Sequence, residues 1–310
     1  MSDFSCIIKN YHPDDFNKYL QLHLEAEQSD RSGRYLSRQT LTEELNRPNY
    51  TPEKNLFLAE SSGKIIGFCS LVPELEIGRV LFDFLVHPHY RREGTATRLL
   101  QHAIKRAKEL EAGVAQVEIS EANVASRSWL SRQGFKPVRR FFKLRLKLSD
   151  ASWPKPKPVA FMARSLKAGE VDKLTEIQNR SFEGTWGFKP NTAEEILYCL
   201  NSSGCSIDGV ILLCDKERPI GYCWTIFNPK ENLTRGINKS RIHMMGVDPD
   251  FRGKGLGRVV LLAGLSFLRD QLIELVELTV DSENKAACAL YESIGFEIFS
   301  TTLWYEMVLA

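Results

Sequence analysis

Three glycines, Gly253, Gly255 and Gly257, alternate with Lys254 and Leu256 and are flanked by Arg252 and Arg258. The run follows an apolar stretch ending at Val247 and opens an amphipathic one at Leu256, so it predicts a strand-to-helix turn. At such a turn the first helical amides have no internal partner and point outward. Glycine lets the chain curl tightly and removes the Cβ that would hold an anion away. The helix end adds a partial positive charge of about half a unit. Together these can cradle a pyrophosphate, with Arg252, Lys254 and Arg258 as full charges around it. A tight turn alone needs one glycine rather than three. A dinucleotide site is disfavoured: the strand order is wrong, and no acidic residue ends a parallel β-α-β unit at the required distance.

The loop belongs to a unit that occurs twice. Shifted by 161 positions, Val86, Pro88, Arg91 and Gly94 fall on Val247, Pro249, Arg252 and Gly255, and Asn123, Ala125, Gly134 and Phe135 fall on Asn284, Ala286, Gly295 and Phe296. Upstream the offset is 154, which carries Gly67-Phe68-Cys69 onto Gly221-Tyr222-Cys223. The difference of seven is an insertion in the second copy, placed within Asn228–Lys239, where a surface loop lengthens at little cost. Trp153-Pro154-Lys155-Pro156-Lys157-Pro158 reads as an extended spacer. The division is placed near Asp150, giving domains 1–150 and 151–310.

Each half shows the same elements. A short strand and a polar-capped helix lead to two strands joined by a turn (Leu56–Glu60 and Ile65–Leu71; Val210–Cys214 and Ile220–Phe227). A fourth strand (Val80–Val86; Ile242–Val247) runs into the glycine-containing loop and an amphipathic helix (Thr95–Glu111; Leu256–Leu272). A fifth strand (Ala115–Ser120; Leu275–Val280), another helix (Ala125–Gln133; Lys285–Ile294) and a terminal strand complete each unit. The class is α+β, with a mixed, mostly antiparallel sheet flanked by helices.

Composition narrows the function. Of 310 residues, 43% are hydrophobic and 26% charged, as in a globular chain. The net charge of +2 creates no field that would draw nucleic acid or a membrane surface. The basic run Arg139–Arg145 continues into Lys143, Arg145 and Lys147 alternating with Leu144, Leu146 and Leu148, the pattern of a half-exposed strand. The N-terminus lacks the pattern of a signal peptide, and no run is long enough to span a bilayer. Seven cysteines without a CxxC pair indicate free thiols, no metal site and a cytoplasmic setting.

Val247–Gly257, VDPDFRGKGLG, is similar to the acetyl-CoA-binding signature of the GNAT superfamily, Arg/Gln-x-x-Gly-x-Gly/Ala. Asn284, Leu290-Tyr291 and Gly295-Phe296 resemble its second signature, in the family's order and spacing. The first copy repeats the pattern as Arg91, Gly94 and Ala96, then Asn123 and Gly134-Phe135. The resemblance implies two tandem GNAT-like domains whose fourth and fifth strands splay apart, with acetyl-CoA in the opening as cosubstrate. It implies further that the backbone of Val247 or a neighbour such as Met245 meets the thioester oxygen. Tyr291 would be the general acid, and Asn284 would bind cofactor or fix a strand end. His243 and Glu183 are the candidate bases. The residues also admit plainer roles: a core aromatic on a helix face for Tyr291, and a structural strand histidine for His243. Around Glu183, Phe182, Trp186 and Phe188 could serve aromatic packing.

In the first copy Val86, Arg91, Gly94 and Ala96 are retained for cofactor binding, but Leu130 replaces Tyr291, Arg92 replaces Gly253 and Glu93 replaces Lys254. Asp83 could act as a base but reads first as a rim or structural carboxylate. The expectation is a catalytic second half and a degenerate first half, acting on a small amine or peptide-like acceptor. The alternative is a non-catalytic acyl-CoA-binding or sensing protein. Oligomeric state is left open.

Overall fold

A computed structural model describes residues 6–30, 36–149 and 160–309. The proline–lysine run Trp153–Pro158 and the division near Asp150 lie outside these residues. The first half runs β1 (Ile7–Asn10), α1 (Phe16–Asp30), α2 (Arg38–Leu45), α3 (Pro52–Asn55), β2 (Leu56–Ser61) and β3 (Lys64–Glu74). It continues with β4 (Arg79–Val86), α4 (Thr95–Glu109), β5 (Val114–Ser120), α5 (Val124–Arg132) and β6 (Lys136–Lys147). The second half runs β7 (Met162–Ser165), α6 (Val171–Phe182), α7 (Ala193–Asn201), β8 (Cys205–Asp215), β9 (Arg218–Ile226) and α8 (Pro229–Arg235). It ends with β10 (Lys239–Val247), α9 (Leu256–Asp270), β11 (Leu275–Asp281), α10 (Lys285–Glu292) and β12 (Glu297–Val308). No helix of the described residues is long and apolar enough to cross a membrane.

The strands and helices expected from the pattern all form, but the units do not divide at residue 150. One compact unit comprises Met1–Arg139 with Leu303–Ala310, and the other Arg140–Thr302. In the first, β1 to β5 lie in sequence order and the end of β12 lies beside β5. There Leu303 and Tyr305 join the core of Phe82, Leu99, Val117 and Phe135, and Gln116 Nε2 donates to Glu306 Oε2 at 2.7 Å. In the second, β6 pairs antiparallel with β11, Phe141 to Lys147 against Asp281 to Leu275. Leu144, Leu146 and Leu148 are buried in the core of the second unit, each contributing about 2 kcal/mol by transfer from water. Arg145 between them bonds Glu277 from Nη2 at 2.6 Å. The alternation of the basic run is thus a strand with one buried face. Period-two alternation reports that a strand has a core face and not which sheet supplies the core, so the exchange of terminal strands is invisible in it.

The register also locates the insertion. Phe82 pairs with Leu71, and Ile242 with Thr225, but the next pairs are Asp83 with Ser70 and Met244 with Trp224. The offset along the fourth strand therefore changes from 160 to 161 across a bulge at His243. Six of the seven extra residues lie before it, in the connection that contains α8, and the seventh is His243 itself.

If each unit needs the other half's strand, residues 160–310 expressed alone lose the partner of β11 and expose Val276, Leu278 and Val280. We expect that fragment to show no cooperative melt by far-UV circular dichroism, and co-expression with residues 1–159 to restore one. A cooperative melt from the isolated fragment would contradict the exchange.

Candidate active site

The site starts where two parallel strands separate. β10 pairs with β11 only from Lys239 to Arg241, opposite Leu275 to Glu277. Past that point β10 keeps its antiparallel pairing with β9, while β11 keeps β6. The amide of Asp248 donates to Ile220 O on the β9 side at 2.9 Å. Since successive amides alternate in direction, those of Val247 and Met245 face the opposite edge, into the gap left by β11. Both side chains are half-buried against the core of this unit.

The gap leads into the glycine loop. Gly253 and Gly255 have φ of +77° and +76°, values that an L side chain adopts only with strain. A Cβ at either would meet no atom within 4 Å, so backbone angle rather than crowding requires glycine there. Gly257 has a different reason: its Cβ would come to 3.3 Å from Leu290 Cδ2, where α10 packs on the start of α9. Leu256 is buried and anchors the helix. Among the described residues, none of the amides from Gly253 to Gly257 donates to a protein acceptor. Arg252 to Gly255 are exposed, so the donors of Gly253, Lys254 and Gly255 face solvent at a helix N-terminus, the arrangement that fits a diphosphate.

The cations expected around it are partly committed. Arg252 donates from Nε to Val247 O at 3.2 Å and from Nη2 to Ser181 O at 2.7 Å, tying the loop to the end of β10 and to α6. Arg258 reaches Ser293 Oγ at 3.0 Å, and Lys254 lies 5.0 Å over the Phe251 ring. Arg252 is therefore a clamp, and Lys254 and Arg258 border the open amides. Asn284 caps α10, its Oδ1 accepting from the Ala287 amide at 3.1 Å. Asn123 caps α5 in the same way, so the repeated asparagine serves the helix end.

Tyr291 is 6% exposed, with its ring edge-on to Phe296 at 5.7 Å. Burial pushes its phenol well above the ordinary value, with Cys223 and Cys288 adding to the shift. It therefore keeps its proton at any working pH. The Leu290 contact with Gly257 holds this turn of α10 against the loop. His243 is the bulged residue on β10, edge-on to Trp224 at 5.0 Å. Desolvation, helped by Arg241, pushes its imidazole down to about 3, which leaves it neutral and weakly basic. Glu183 is exposed at the C-terminal end of α6.

The sequence reading missed what seats α6 on β10. A Cβ on Gly246 would overlap the Cβ of Ser181 and come to 3.2 Å from Tyr222 Cε1. Ser181 Oγ and Tyr222 Oη are buried with no hydrogen-bond partner, so two hydroxyls beside this contact remain open to a ligand or water. Beneath the loop, Asp248 is fully buried. It accepts from Arg180 Nε at 2.8 Å, Arg218 Nη2 at 2.9 Å and the Asp250 amide at 3.0 Å. The hydrogen bond from Arg180 is the main reason its carboxyl is held down at about 2. Only the Asp-Pro step before the loop hints at this role in the sequence.

The first unit carries the same frame. β4 and β5 pair only from Arg79 to Phe82 opposite Val114 to Val117. The His87 amide donates to Ile66 O at 2.8 Å, which turns the amide of Val86 toward the corresponding gap. Arg92 has φ +71° and Gly94 +76°. Arg91 bonds Val86 O at 3.1 Å and pairs with Asp30. Ala96 occupies the place of Gly257, and Leu130 is buried where Tyr291 stands.

The model of the acetyltransferase (GNAT) family matches residues 17–135 and again 171–296, most of the chain. The chain belongs to the GNAT acetyltransferase family. This GNAT protein is 29% identical over 250 residues to a mycothiol acetyltransferase of Saccharomonospora viridis, covering 79% of the chain and 80% of the relative. It is 29% identical over 267 residues to one of Segniliparus rotundus, covering 83% and 96%. Its fold is similar to that of a GCN5-related N-acetyltransferase from Sphaerobacter thermophilus, with a TM-score of 0.77, 18% identity and coverage of 98% and 96%. It is also similar to a tandem GNAT protein from the clavulanic acid biosynthesis pathway, with a TM-score of 0.75, 16% identity and 99% of each chain covered.

Two outcomes follow for this GNAT protein. Gly255→Glu puts a strained acidic residue at the cradle and should raise the acetyl-CoA Kd of the second unit by about tenfold or more in calorimetry. Asp248 has a lower pKa folded than unfolded, so its stabilisation is present above about pH 4 and fades as pH falls toward 2. Asp248→Asn should therefore cost about 1–2 kcal/mol near neutral pH, discounted because both arginines are partly exposed, with a deficit in Tm that closes in acid.

Proposed function

We propose that the second unit catalyses acetyl-CoA-dependent N-acetylation of a mycothiol-related amine. The carrying observation is the presence of two sets of open donors on one strand-to-helix connection, Met245 and Val247 at the parted strands and Gly253–Gly257 at the helix end. An acyl-CoA needs donors at two places, its thioester and its diphosphate, and this edge presents both. The acceptor assignment is supported by the curated relatives, which share the name mycothiol acetyltransferase and match over 80% and 96% of their length.

Bound acetyl-CoA supplies the acetyl thioester. The Val247 amide, with Met245 beside it, stabilises negative charge at the thioester oxygen. The glycine loop, Lys254 and Arg258 hold the diphosphate. Tyr291, kept protonated by burial, gives a proton to the departing thiolate. Glu183 is the better placed base: the Ser181–Gly246 contact carries it to the end of β10, and it stands in solvent where an ammonium arrives. His243, with an imidazole near 3, takes up a proton poorly at neutral pH, and we assign it the bulge instead. Leu130 cannot donate a proton, so catalysis is assigned to the second unit and not to the first.

Tyr291→Phe should lower kcat by about 100-fold while the acetyl-CoA Kd stays near wild type, read from thiol release and calorimetry. An unchanged kcat removes the acid role. Acetyl-CoA binding without thiol release from any mycothiol-related amine would instead favour a binding protein.

A further inference from the structure

In each unit a polar clasp crosses three strands at the fork where the parallel pair separates. In the second unit Glu277 of β11 faces Arg241 in the last pair before β10 departs. Its Oε2 accepts from Lys239 Nζ of β10 at 2.7 Å. Its Oε1 accepts from Arg145 of β6, from Nε at 3.0 Å and from Nη2 at 2.6 Å. Burial would raise this carboxyl, but the hydrogen bonds from Lys239 and Arg145 outweigh it and hold it below the ordinary value. In the first unit Gln116 of β5 stands at the corresponding place, opposite Leu81. Its Oε1 accepts from Arg79 Nη1 of β4 at 3.1 Å, and its Nε2 donates to Glu306 Oε2 of β12 at 2.7 Å. Arg79 and Gln116 are both buried.

The clasps are equivalent position by position, but the charge on the terminal strand is reversed. The repeat offset of 161 carries Gln116 onto Glu277 and Arg145 onto Glu306, and the offset of 160 before the bulge carries Arg79 onto Lys239. Arg145 and Glu306 are thus the same position of the terminal strand in the two copies, and each completes the clasp of the other copy. The apolar residues do not tell these strands apart. Phe142, Leu144 and Leu146 of β6 and Leu303, Tyr305 and Met307 of β12 are equivalent, and all pack into a core. Charge does. Returned to its own copy, Glu306 would stand beside Glu277, two carboxylates at one fork, which repel or force a proton onto one of them. Arg145 returned beside Gln116 would aim a cation at the amide NH2 that now serves Glu306. A buried donor would then lack its acceptor.

We propose that this reversed pair, Arg145 and Glu306, selects the exchange of terminal strands over the arrangement in which each copy keeps its own. The selection works by repulsion in the wrong arrangement as much as by attraction in the right one. It is independent of acetyl transfer, and its failure would leave the acetyltransferase assignment standing.

The test uses the full chain. Arg145→Glu sets a carboxylate against Glu277 and should lower Tm by roughly 3–8 °C in far-UV circular dichroism. Adding Glu277→Gln rebuilds in the second unit the cation, amide and carboxylate order of the first, and should return most of that loss. Damage to packing alone would not be repaired by this second change. Strand placement is read with Lys143→Cys and Thr279→Cys, a pair in register across β6 and β11, linked by mild oxidation and mapped by mass spectrometry. The link should form when Arg145 and Glu306 are kept. The joint reversal Arg145→Glu with Glu306→Arg suits only unexchanged strands and should cut its yield about tenfold or more. The proposal is overturned if Arg145→Glu melts like the wild type or if Glu277→Gln fails to restore it. It is equally overturned if the link never forms, or if the joint reversal leaves its yield unchanged.

Discussion

The structure of the site depends on β10 and β11 parting after three paired residues. A sheet normally consumes its amides in ladders, and here one strand edge is left with donors that must find another partner. Three contacts keep β11 from closing the gap or β10 from drifting. The bulge at His243 changes the course of β10 just beyond its last pair with β11. Gly246 lets α6 sit directly on the strand through Ser181. Asp248, gripped by Arg180 and Arg218, fixes the strand end at the point where the chain turns into the glycine loop. Arg252 then bonds the carbonyl of Val247 and that of Ser181, so strand, helix and loop move as one piece. Pre-organisation of this kind means that donors need not be rearranged when charge develops.

The first unit has the same frame with different tolerances. Arg92 takes a left-handed conformation where the second unit has Gly253, a strain of order 1 kcal/mol that the surrounding turn must absorb. His87 stands where Asp248 stands, beside Glu25 at 3.4 Å, so a histidine–carboxylate contact replaces the doubly bridged aspartate. β4 has no bulge, and Ser70 and Asp83 line a cavity of about 300 Å³ where the second unit places the side chains of Trp224 and Met244.

Much of this was legible in the sequence, and for physical reasons. Gly253 and Gly255 supply left-handed backbone angles and Gly257 a close helix contact, a combination that few other arrangements need, so loop and helix start were readable. The repeat placed the two units on a common frame, including the amides of Val247 and Val86. What stayed hidden depends on distant contacts. Arg180, Arg218 and Asp248 are far apart in the chain and ordinary one by one. His243 resembled a base because a one-residue bulge cannot be told from a continuous strand by its letters. Asn284 looked like a ligand contact, yet its oxygen is used by its own helix. The short helices α2, α3, α7 and α8 carry too few turns to show a period.

The reciprocal loan of terminal strands has a consequence for synthesis. Leu303 and Tyr305, which seal the core formed by β1 to β5, emerge from the ribosome after every helix of the second unit. The first unit must therefore wait, one edge uncovered, until the second has been synthesised, whereas the second unit finds β6 already made. Nor could either copy be transplanted as a cassette cut at the repeat boundary, because each would leave with its neighbour's final strand and without its own.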